Sequence, residues 1–328
     1  SRRLARPVPI GAVKLQIALP GNNHLPGTPG WMTRLRAPDH QRIARVIDEL
    51  GFHTITTMEH LAMPIEEIPR LGPYWTHALS VMGFVAGATR RVRIDTSVLV
   101  LPYHHPLALA KAIATIDVLS GGRVNLSVGV GHAVREFEVL GVPFSERGAW
   151  TDEMLDAIKK LWTAEHPVHH GRYFHIDGLA FAPKPVQKPR PPIYVGGNSP
   201  AALRRAARHD GWQPNPTDFT IGEVPPLYDY IRAQPEFRGK EETFDVCWLG
   251  FPDDVGGVAF RRASSAERTA VRDRLLAGFA LLRSTGVTRT PVPVARTESV
   301  EEYLDYLRWF SAEVQPEVQA SGRSPRPA

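Results

Sequence analysis

The sequence predicts an α/β fold, a TIM (β/α)8 barrel with a β-hairpin insertion, on three observations. Apolar segments of strand length alternate with amphipathic segments of helical length through residues 14–310. Several of the predicted strands are apolar throughout, which is typical of parallel strands that are buried on both faces. The 328 residues of the chain suit a barrel, because barrels use about 250 residues or more as one domain.

The clearest unit reads as strand, helix and strand. Residues 94–101 form an apolar run rich in Val and Leu that ends at Pro102, which predicts a buried strand. A mostly apolar helix is predicted over residues 107–119, and Gly121 ends it because glycine tolerates the left-handed conformation there. Residues 124–129 predict the next strand. Parallel strands need such crossovers, so the two strands are predicted to be parallel.

The other elements follow the same alternation. Strands are predicted at residues 14–19, 54–58, 193–196, 211–213, 244–251 and, with less regular sequence, 286–295. Helices are predicted at residues 39–50, 77–88, 152–162, 201–208, 227–233, 266–282 and 300–310. An aromatic, turn-rich segment at about residues 166–182 predicts a β-hairpin outside the barrel. We expect residues 1–320 to form one domain and residues 321–328 to be a disordered tail.

Composition excludes several classes of protein. The net charge is +5, but the basic residues are scattered opposite acidic ones, so we expect no nucleic-acid binding. The single cysteine, Cys247, excludes a disulfide framework and a cysteine metal cluster. No apolar run is long enough to span a bilayer and no signal peptide opens the chain, so we expect a cytoplasmic protein without membrane contact.

A titratable pair, Glu59 and His60, follows the second predicted strand. The carboxyl ends of barrel strands carry catalytic groups, and histidine transfers protons near neutral pH. The neighbouring carboxylate could orient or charge the imidazole. A purely structural pair is the alternative that the residues alone leave open.

Two glycine segments also follow predicted strands. Gly129, Val130, Gly131 and His132 lack the third glycine of a dinucleotide fingerprint, so they favour a tight turn whose backbone N–H groups approach a ligand.

The second segment comprises Gly196, Gly197, Asn198 and Ser199, and Pro200 comes next. Serine suits an N-cap and proline the first helical position, and a helix N-terminus binds phosphate well. A capped helix without a ligand is the alternative.

Four histidines lie in the predicted hairpin region, at His166, His169, His170 and His175. They have no nearby cysteine and no obvious carboxylate partner, and they lie away from the predicted strand ends. A solvated surface is therefore favoured over a metal site, and we predict no metal.

Two long segments carry a family resemblance. They read SVLVLPYHHPLALAKAIATIDVLSGGRVNLSVGVG and, well downstream, PPIYVGGNSPAALRRAARHDGW. In both, the chain resembles the luciferase-like flavin and deazaflavin oxidoreductases of the bacterial luciferase superfamily, most of all the actinobacterial branch assigned to coenzyme F420. The resemblance covers residues 14–212, and the last third follows the family only in its alternation of elements.

This resemblance implies an oxidoreductase that transfers a hydride between coenzyme F420 and a small organic substrate. An FMN-dependent two-component monooxygenase, supplied by a partner flavin reductase, is the alternative on the same barrel. A catalytically silent ligand-binding barrel is a further alternative from a different class. We also expect a homodimer.

The resemblance also implies roles for single residues. The acidic residue at the strand end, here Glu59, borders the deazaflavin headgroup, and the following histidine, here His60, exchanges a proton with the substrate. The third strand of the family carries a non-proline cis peptide against the cofactor ring, which corresponds to Ser97 and Val98. Relatives have an acidic residue where this chain has His132, so the second acid/base group stays open.

The downstream segment is implied to hold the cofactor phosphate. It comprises Gly196, Gly197, Asn198 and Ser199, with Val195 before them.

Overall fold

The computed structural model of the chain describes residues 12–217, 219–252 and 260–320. The predicted tail, residues 321–328, lies outside the described residues. The strands are β1 (Lys14–Ala18), β2 (Thr54–Thr57), β3 (Arg93–Thr96), β4 (Leu99–Val100), β5 (Leu126–Gly129), β6 (His169–His170), β7 (His175–Ile176), β8 (Ile193–Gly196), β9 (Gly211–Gln213), β10 (Asp245–Val246) and β11 (Arg289–Pro291). The helices are α1 (Ala37–Glu49), α2 (Ile68–Leu71), α3 (Ala78–Ala88), α4 (Pro106–Ser120), α5 (Val134–Leu140), α6 (Arg147–Thr163), α7 (Pro200–Ala207), α8 (Val224–Arg232), α9 (Ser265–Ser284), α10 (Val300–Glu313) and α11 (Gln315–Ala320).

The strands form a barrel with eight parallel strand positions, and β3 and β4 together occupy one of these positions. One sheet runs in the order β11, β1, β2, β3, and the other in the order β10, β9, β8, β5, β4, with every pairing parallel. A bridge between Ile94 and Val124 and another between Cys247 and Arg289 join the two sheets. The ring is thereby complete, and the predicted TIM barrel is confirmed.

The helices cover the outer face of this barrel. On α4 the predicted apolar stripe is buried, with Leu109 and Ile113 fully enclosed. The helix ends at Gly121, whose φ of 72° lies in the left-handed region, as the sequence predicts. None of the helices within the described ranges is long and apolar enough to cross a membrane.

Three predicted strands are much shorter than the sequence suggests. The run at residues 94–101 is interrupted after β3, resumes as β4, and turns into a 3-10 helix at Leu101, where Pro102 cannot donate to a strand partner. The run at residues 244–251 forms β10 and continues only as the bridge from Cys247 to Arg289. The run at residues 286–295 forms only β11.

The predicted hairpin is present outside the barrel as the antiparallel pair β6 and β7. The Glu153 carboxylate on α6 anchors it by accepting from the backbone N–H groups of Arg172, Tyr173 and Phe174 at 2.8–2.9 Å. His169 is buried and lies 3.3 Å from the same carboxylate.

The prediction that the hairpin histidines are solvated and lack carboxylate partners is therefore wrong for His169. It is also wrong on the partner of His170, whose Nε2 lies 3.1 Å from the Asp177 carboxylate. The sequence hides both partners because the hairpin folds back onto α6 and onto itself. The described ranges contain no cluster of three or more residues that could hold a metal ion.

A buried ion pair crosses the barrel interior. Asp95 on β3 lies 2.7 Å from Nη2 of Arg289 on β11, and both side chains are at most 1% exposed. Asp95 also accepts hydrogen bonds from the N–H and the hydroxyl of Ser127 on β5, at 2.9 and 3.0 Å. Arg289 donates to Gln16 on β1 as well, and its guanidinium lies 4.5 Å from the centre of the Tyr194 ring. The network thus connects five barrel strands, β1, β3, β5, β8 and β11.

We predict that Asp95→Ala lowers the free energy of unfolding by about 3–5 kcal/mol, because it leaves the Arg289 charge buried without its partner. Urea denaturation followed by circular dichroism measures the change. Arg308→Ala is the matched control, since Arg308 forms an exposed pair with Asp305 and such pairs contribute about 0–1 kcal/mol. Equal losses in the two variants would contradict the role of the buried pair.

Candidate active site

Glu59 and His60 directly follow β2 at the carboxyl end of the barrel, as predicted. Both side chains are buried, with 4% and 9% of their surface exposed. Nδ1 of His60 lies 2.7 Å from Oε2 of Glu136, which stands in the first turn of α5. The imidazole is therefore oriented by a carboxylate that is 76 positions away in the sequence.

Glu136 is held by four donors besides packing. Its Oε1 accepts from the backbone N–H groups of Leu61 and Ala62 at 2.8 and 3.2 Å, and its Oε2 accepts from Tyr103 and His60. Burial alone raises the pKa of Glu136, but the hydrogen bonds from His60, Ala62 and Tyr103 outweigh it, and the pKa lies below its ordinary value. The same burial and the Glu136 charge raise the pKa of Tyr103.

The hydrogen bond between Glu136 and His60 determines the tautomer of the His60 ring. An ionised carboxylate only accepts hydrogen bonds, so Nδ1 of His60 carries the proton that Glu136 binds. Nε2 is then the atom that is available to accept or donate a proton. The ring is flanked edge-on by Trp75, with ring centres 4.6 Å apart, and by His132, with ring centres 5.6 Å apart.

Glu59 has different partners from those expected. It does not bind His60; its Oε2 accepts from the N–H of Val100 at 2.8 Å, and its Oε1 lies 2.9 Å from Nε2 of His104. The carboxylate thus bridges the end of β2 to β4 and to the stretch that follows it. The interpretation that Glu59 orients the His60 ring is wrong, because the Glu59 oxygens bind Val100 and His104 and the ring binds Glu136.

The break between β3 and β4 carries the cis bond that the family resemblance implies. The Ser97–Val98 peptide is cis, and the Ser97 hydroxyl lies 3.3 Å from Nε2 of Gln213. The Val98 side chain lies against the ends of two neighbouring strands, β5 and β8. A Cβ at Gly129 would lie 2.8 Å from its Cγ2, and one at Gly196 would lie 3.2 Å from its Cγ1.

Side chains of this chain also explain why glycines stand at the end of β5 and just after it. Gly131 has a φ of 81°, and a Cβ there would lie 2.7 Å from Val100 and 2.8 Å from Phe137. Gly129 and Gly131 therefore accommodate side chains of this chain itself, whatever ligand the loop contacts. Of the other two residues, Val130 is half-buried and His132 is exposed on the site side. Burial and the neighbouring His60 lower the pKa of His132.

The downstream segment forms a capped helix start. The Ser199 hydroxyl accepts from the N–H of Ala202 at 3.2 Å, as an N-cap does. The Asn198 side chain both donates to and accepts from the backbone of Asn215, at 2.8 and 2.9 Å. Gly197 has a φ of 113° and donates its N–H to Gln213.

Two donors of this segment remain open. Within the described residues, the backbone N–H groups of Asn198 and Ser199 have no acceptor. Val195 differs from its neighbours, because its side chain is 1% exposed and packs in the hydrophobic core.

Comparison with known proteins follows this geometry. Residues 15–280 match the family model described as luciferase-like monooxygenase. The chain belongs to this family. It is 33% identical over 215 residues to the FMNH2-dependent dimethylsulfone monooxygenase of Pseudomonas putida, an alignment that covers 63% of this chain and 56% of that protein.

Solved structures of luciferase-like enzymes share its fold. A monooxygenase from Streptomyces bottropensis superposes with a TM-score of 0.70 at 24% identity and covers 93% of this chain and 99% of its own. The coenzyme F420-dependent tetrahydromethanopterin reductase from Methanopyrus kandleri superposes with a TM-score of 0.66 at 18% identity, over 94% and 99% of the two chains. The expected resemblance to the luciferase-like superfamily is thereby confirmed.

Sequence reasoning assigned no role to three residues of this site. Glu136 lies in the first turn of α5, Tyr103 ends the 3-10 helix that follows β4, and Trp75 lies between α2 and α3. The signal for Glu136 was its place in the first turn of a short helix beyond a strand's carboxyl end, where acidic residues are favoured. No local pattern marks Tyr103 or Trp75, since their partners come from other loops.

We predict that Glu136→Gln destabilises the protein by about 1–3 kcal/mol near pH 7, because it removes the ionised acceptor of four hydrogen bonds. The folded-state pKa of Glu136 is lowered, so its stabilisation is complete above the unfolded pKa of about 4.3 and is lost as the pH falls through the folded pKa. The difference from wild type should shrink in that acidic range.

Urea denaturation at pH values between about 3 and 7 measures this effect. Glu138→Gln is the matched control on the same helix, because Glu138 is exposed and pairs only with Arg135 at the surface. A Glu136→Gln deficit that stays constant with pH would contradict the assignment.

Proposed function

We propose that the protein is an oxidoreductase that transfers a hydride between coenzyme F420 and a small organic substrate. The observation that supports this most is the buried His60–Glu136 pair at the carboxyl end of the barrel. Hydride transfer to or from carbon usually requires a matching proton transfer at the substrate. An imidazole with an oriented, available Nε2 suits that step.

The chain has residues that fit such a cofactor. The bulged Ser97–Val98 peptide and the fixed Glu59 carboxylate would border its ring. The start of α7 would hold its phosphate, because the N–H groups of Asn198 and Ser199 have no acceptor among the described residues and a helix N-terminus favours an anion. A net charge of +5 suits an anionic cofactor. When bound, the deazaflavin ring would supply the hydride chemistry.

The protein's own residues handle the proton and the surroundings. Glu136 keeps Nδ1 of His60 protonated and stabilises the imidazolium that forms when Nε2 accepts a second proton. Tyr103 and the loop N–H groups keep Glu136 ionised by donating to it. Trp75 lies against the His60 ring and limits the access of water to it.

An FMN-dependent monooxygenase is the second candidate. It is favoured by the 33% identity to the FMNH2-dependent dimethylsulfone monooxygenase. In that case a separate flavin reductase would supply the reduced cofactor. The oxygen chemistry would belong to the flavin, and His60 would serve the substrate or the products.

For the phosphate site we predict that Ser199→Asp weakens cofactor binding by about 100-fold or more, because like charges at a desolvated site repel. Fluorescence titration with F420 and with FMN measures the loss and also shows which cofactor binds. Ser199→Asn is the matched control, since Asn and Asp cap helices equally well and only Asp adds a charge. The phosphate assignment fails if the Asp variant keeps wild-type affinity for both cofactors.

For the acid/base role we predict that His60→Ala keeps cofactor affinity but lowers turnover by about 100- to 10,000-fold. Single-turnover oxidation of the reduced cofactor, with and without oxygen, measures the rate. Under the monooxygenase alternative the variant should release hydrogen peroxide while it still consumes oxygen. His175→Ala, an exposed histidine on the hairpin, is the control. Wild-type turnover in His60→Ala would remove the residue from either mechanism.

A further inference from the structure

A cavity of about 360 Å³ lies beside the candidate active site. It opens between the loop that follows β1 and the first turns of α1 and α3. Its apolar walls come from Leu19, Leu35, Val81 and Phe84. None of the residues assigned above to proton transfer or to cofactor binding lines it.

One side of this cavity carries polar groups without partners. Asn22 is 7% exposed, and its Nδ2 has no hydrogen-bond acceptor among the described residues. Nδ1 of His40 likewise has no partner there. Arg36 and the first residue of α1, Ala37, complete this side, and the backbone N–H of Arg36 donates to the Asp39 carboxylate at 2.9 Å. No carboxylate of the described residues lines the cavity.

The unpaired groups indicate the chemistry of an occupant. A buried amide N–H without an acceptor is unfavourable unless something supplies that acceptor. The Arg36 guanidinium and the His40 imidazole favour negative charge, while the opposite walls favour an apolar body. We propose that this cavity binds a small apolar carboxylic acid, with its carboxylate at Asn22 and Arg36 and its apolar body between Val81 and Phe84.

The cavity shares a wall with the candidate active site. Residues 22–24 pair antiparallel with residues 74–76, through hydrogen bonds of 2.9 Å from Thr76 N–H to Asn22 and 3.0 Å from His24 N–H to Tyr74. Side chains alternate across such a ribbon, and Asn22, Tyr74 and Thr76 face the cavity.

The other face of the ribbon meets the catalytic pair. Trp75 contacts the His60 ring, and Nδ2 of Asn23 lies 3.9 Å from the sulfur of Met58, which precedes Glu59. An acid bound in the cavity therefore contacts the ribbon that supports Trp75. Its binding should change the turnover rate without competing with the substrate.

Benzoate is the probe, and benzamide is its uncharged counterpart. Titration calorimetry on the full chain without cofactor makes the result independent of the proposed function. We expect one benzoate per chain and benzamide at least about tenfold weaker, because only the acid forms charge-assisted hydrogen bonds. Val81→Trp should fill the cavity and abolish saturable binding. Gly83→Trp, whose added side chain points into open space on the same helix, should leave binding unchanged.

Arg36→Gln provides an independent arm if Val81→Trp does not fold. It should weaken benzoate binding about tenfold and leave benzamide unchanged, whereas Arg34→Gln, a nearby exposed arginine, should change neither. Absence of saturable benzoate binding to wild type would overturn the proposal. So would benzoate binding that is lost in His60→Ala but kept in Val81→Trp or Arg36→Gln, because the acid would then occupy the candidate active site.

Discussion

The Glu136 carboxylate is the interaction on which the candidate site depends. Its two oxygens accept from the N–H groups of Leu61 and Ala62, from Tyr103 and from His60, and these donors come from the loops after β2 and β4. One buried charge therefore joins the segments that follow β2, β4 and β5 at the carboxyl end of the barrel. Because the charge is balanced by donors and not by a second full charge, it can hold His60 in one tautomer and still respond to the proton that His60 gains.

The fold was largely predictable because its signals are local. The apolar run of each barrel strand and the apolar stripe of each helix are visible within a sequence window of about ten residues. The late strand at β10 was overestimated, because its apolar run continues to residue 251 whereas its parallel pairing ends at the Cys247 bridge, a limit that no local pattern shows. The buried Asp95–Arg289 pair could not be predicted either, because its two residues lie on strands that are far apart in the sequence.

The location of the site was predictable, but its pairings were not. Strand ends identify Glu59 and His60, yet their adjacency in sequence suggests a partnership that the structure does not contain. His60 pairs with Glu136 instead, and Glu59 pairs with Val100 at the end of β4 and with His104. The glycines are another example. Gly129 and Gly196 suggest the approach of a ligand, whereas in the structure they accommodate the methyl groups of Val98, a requirement that exists before any ligand binds.

Contacts within the chain itself fix both Val98 with its glycine neighbours and the Glu136 network that orients His60. His132 lies outside this framework and stands beside the His60 ring, with ring centres 5.6 Å apart. An imidazole there adds no carboxylate to the site, and partial burial and the neighbouring His60 lower its pKa. His60 consequently has Glu136 as its carboxylate partner, and the acid–base properties of this site follow from that single pair.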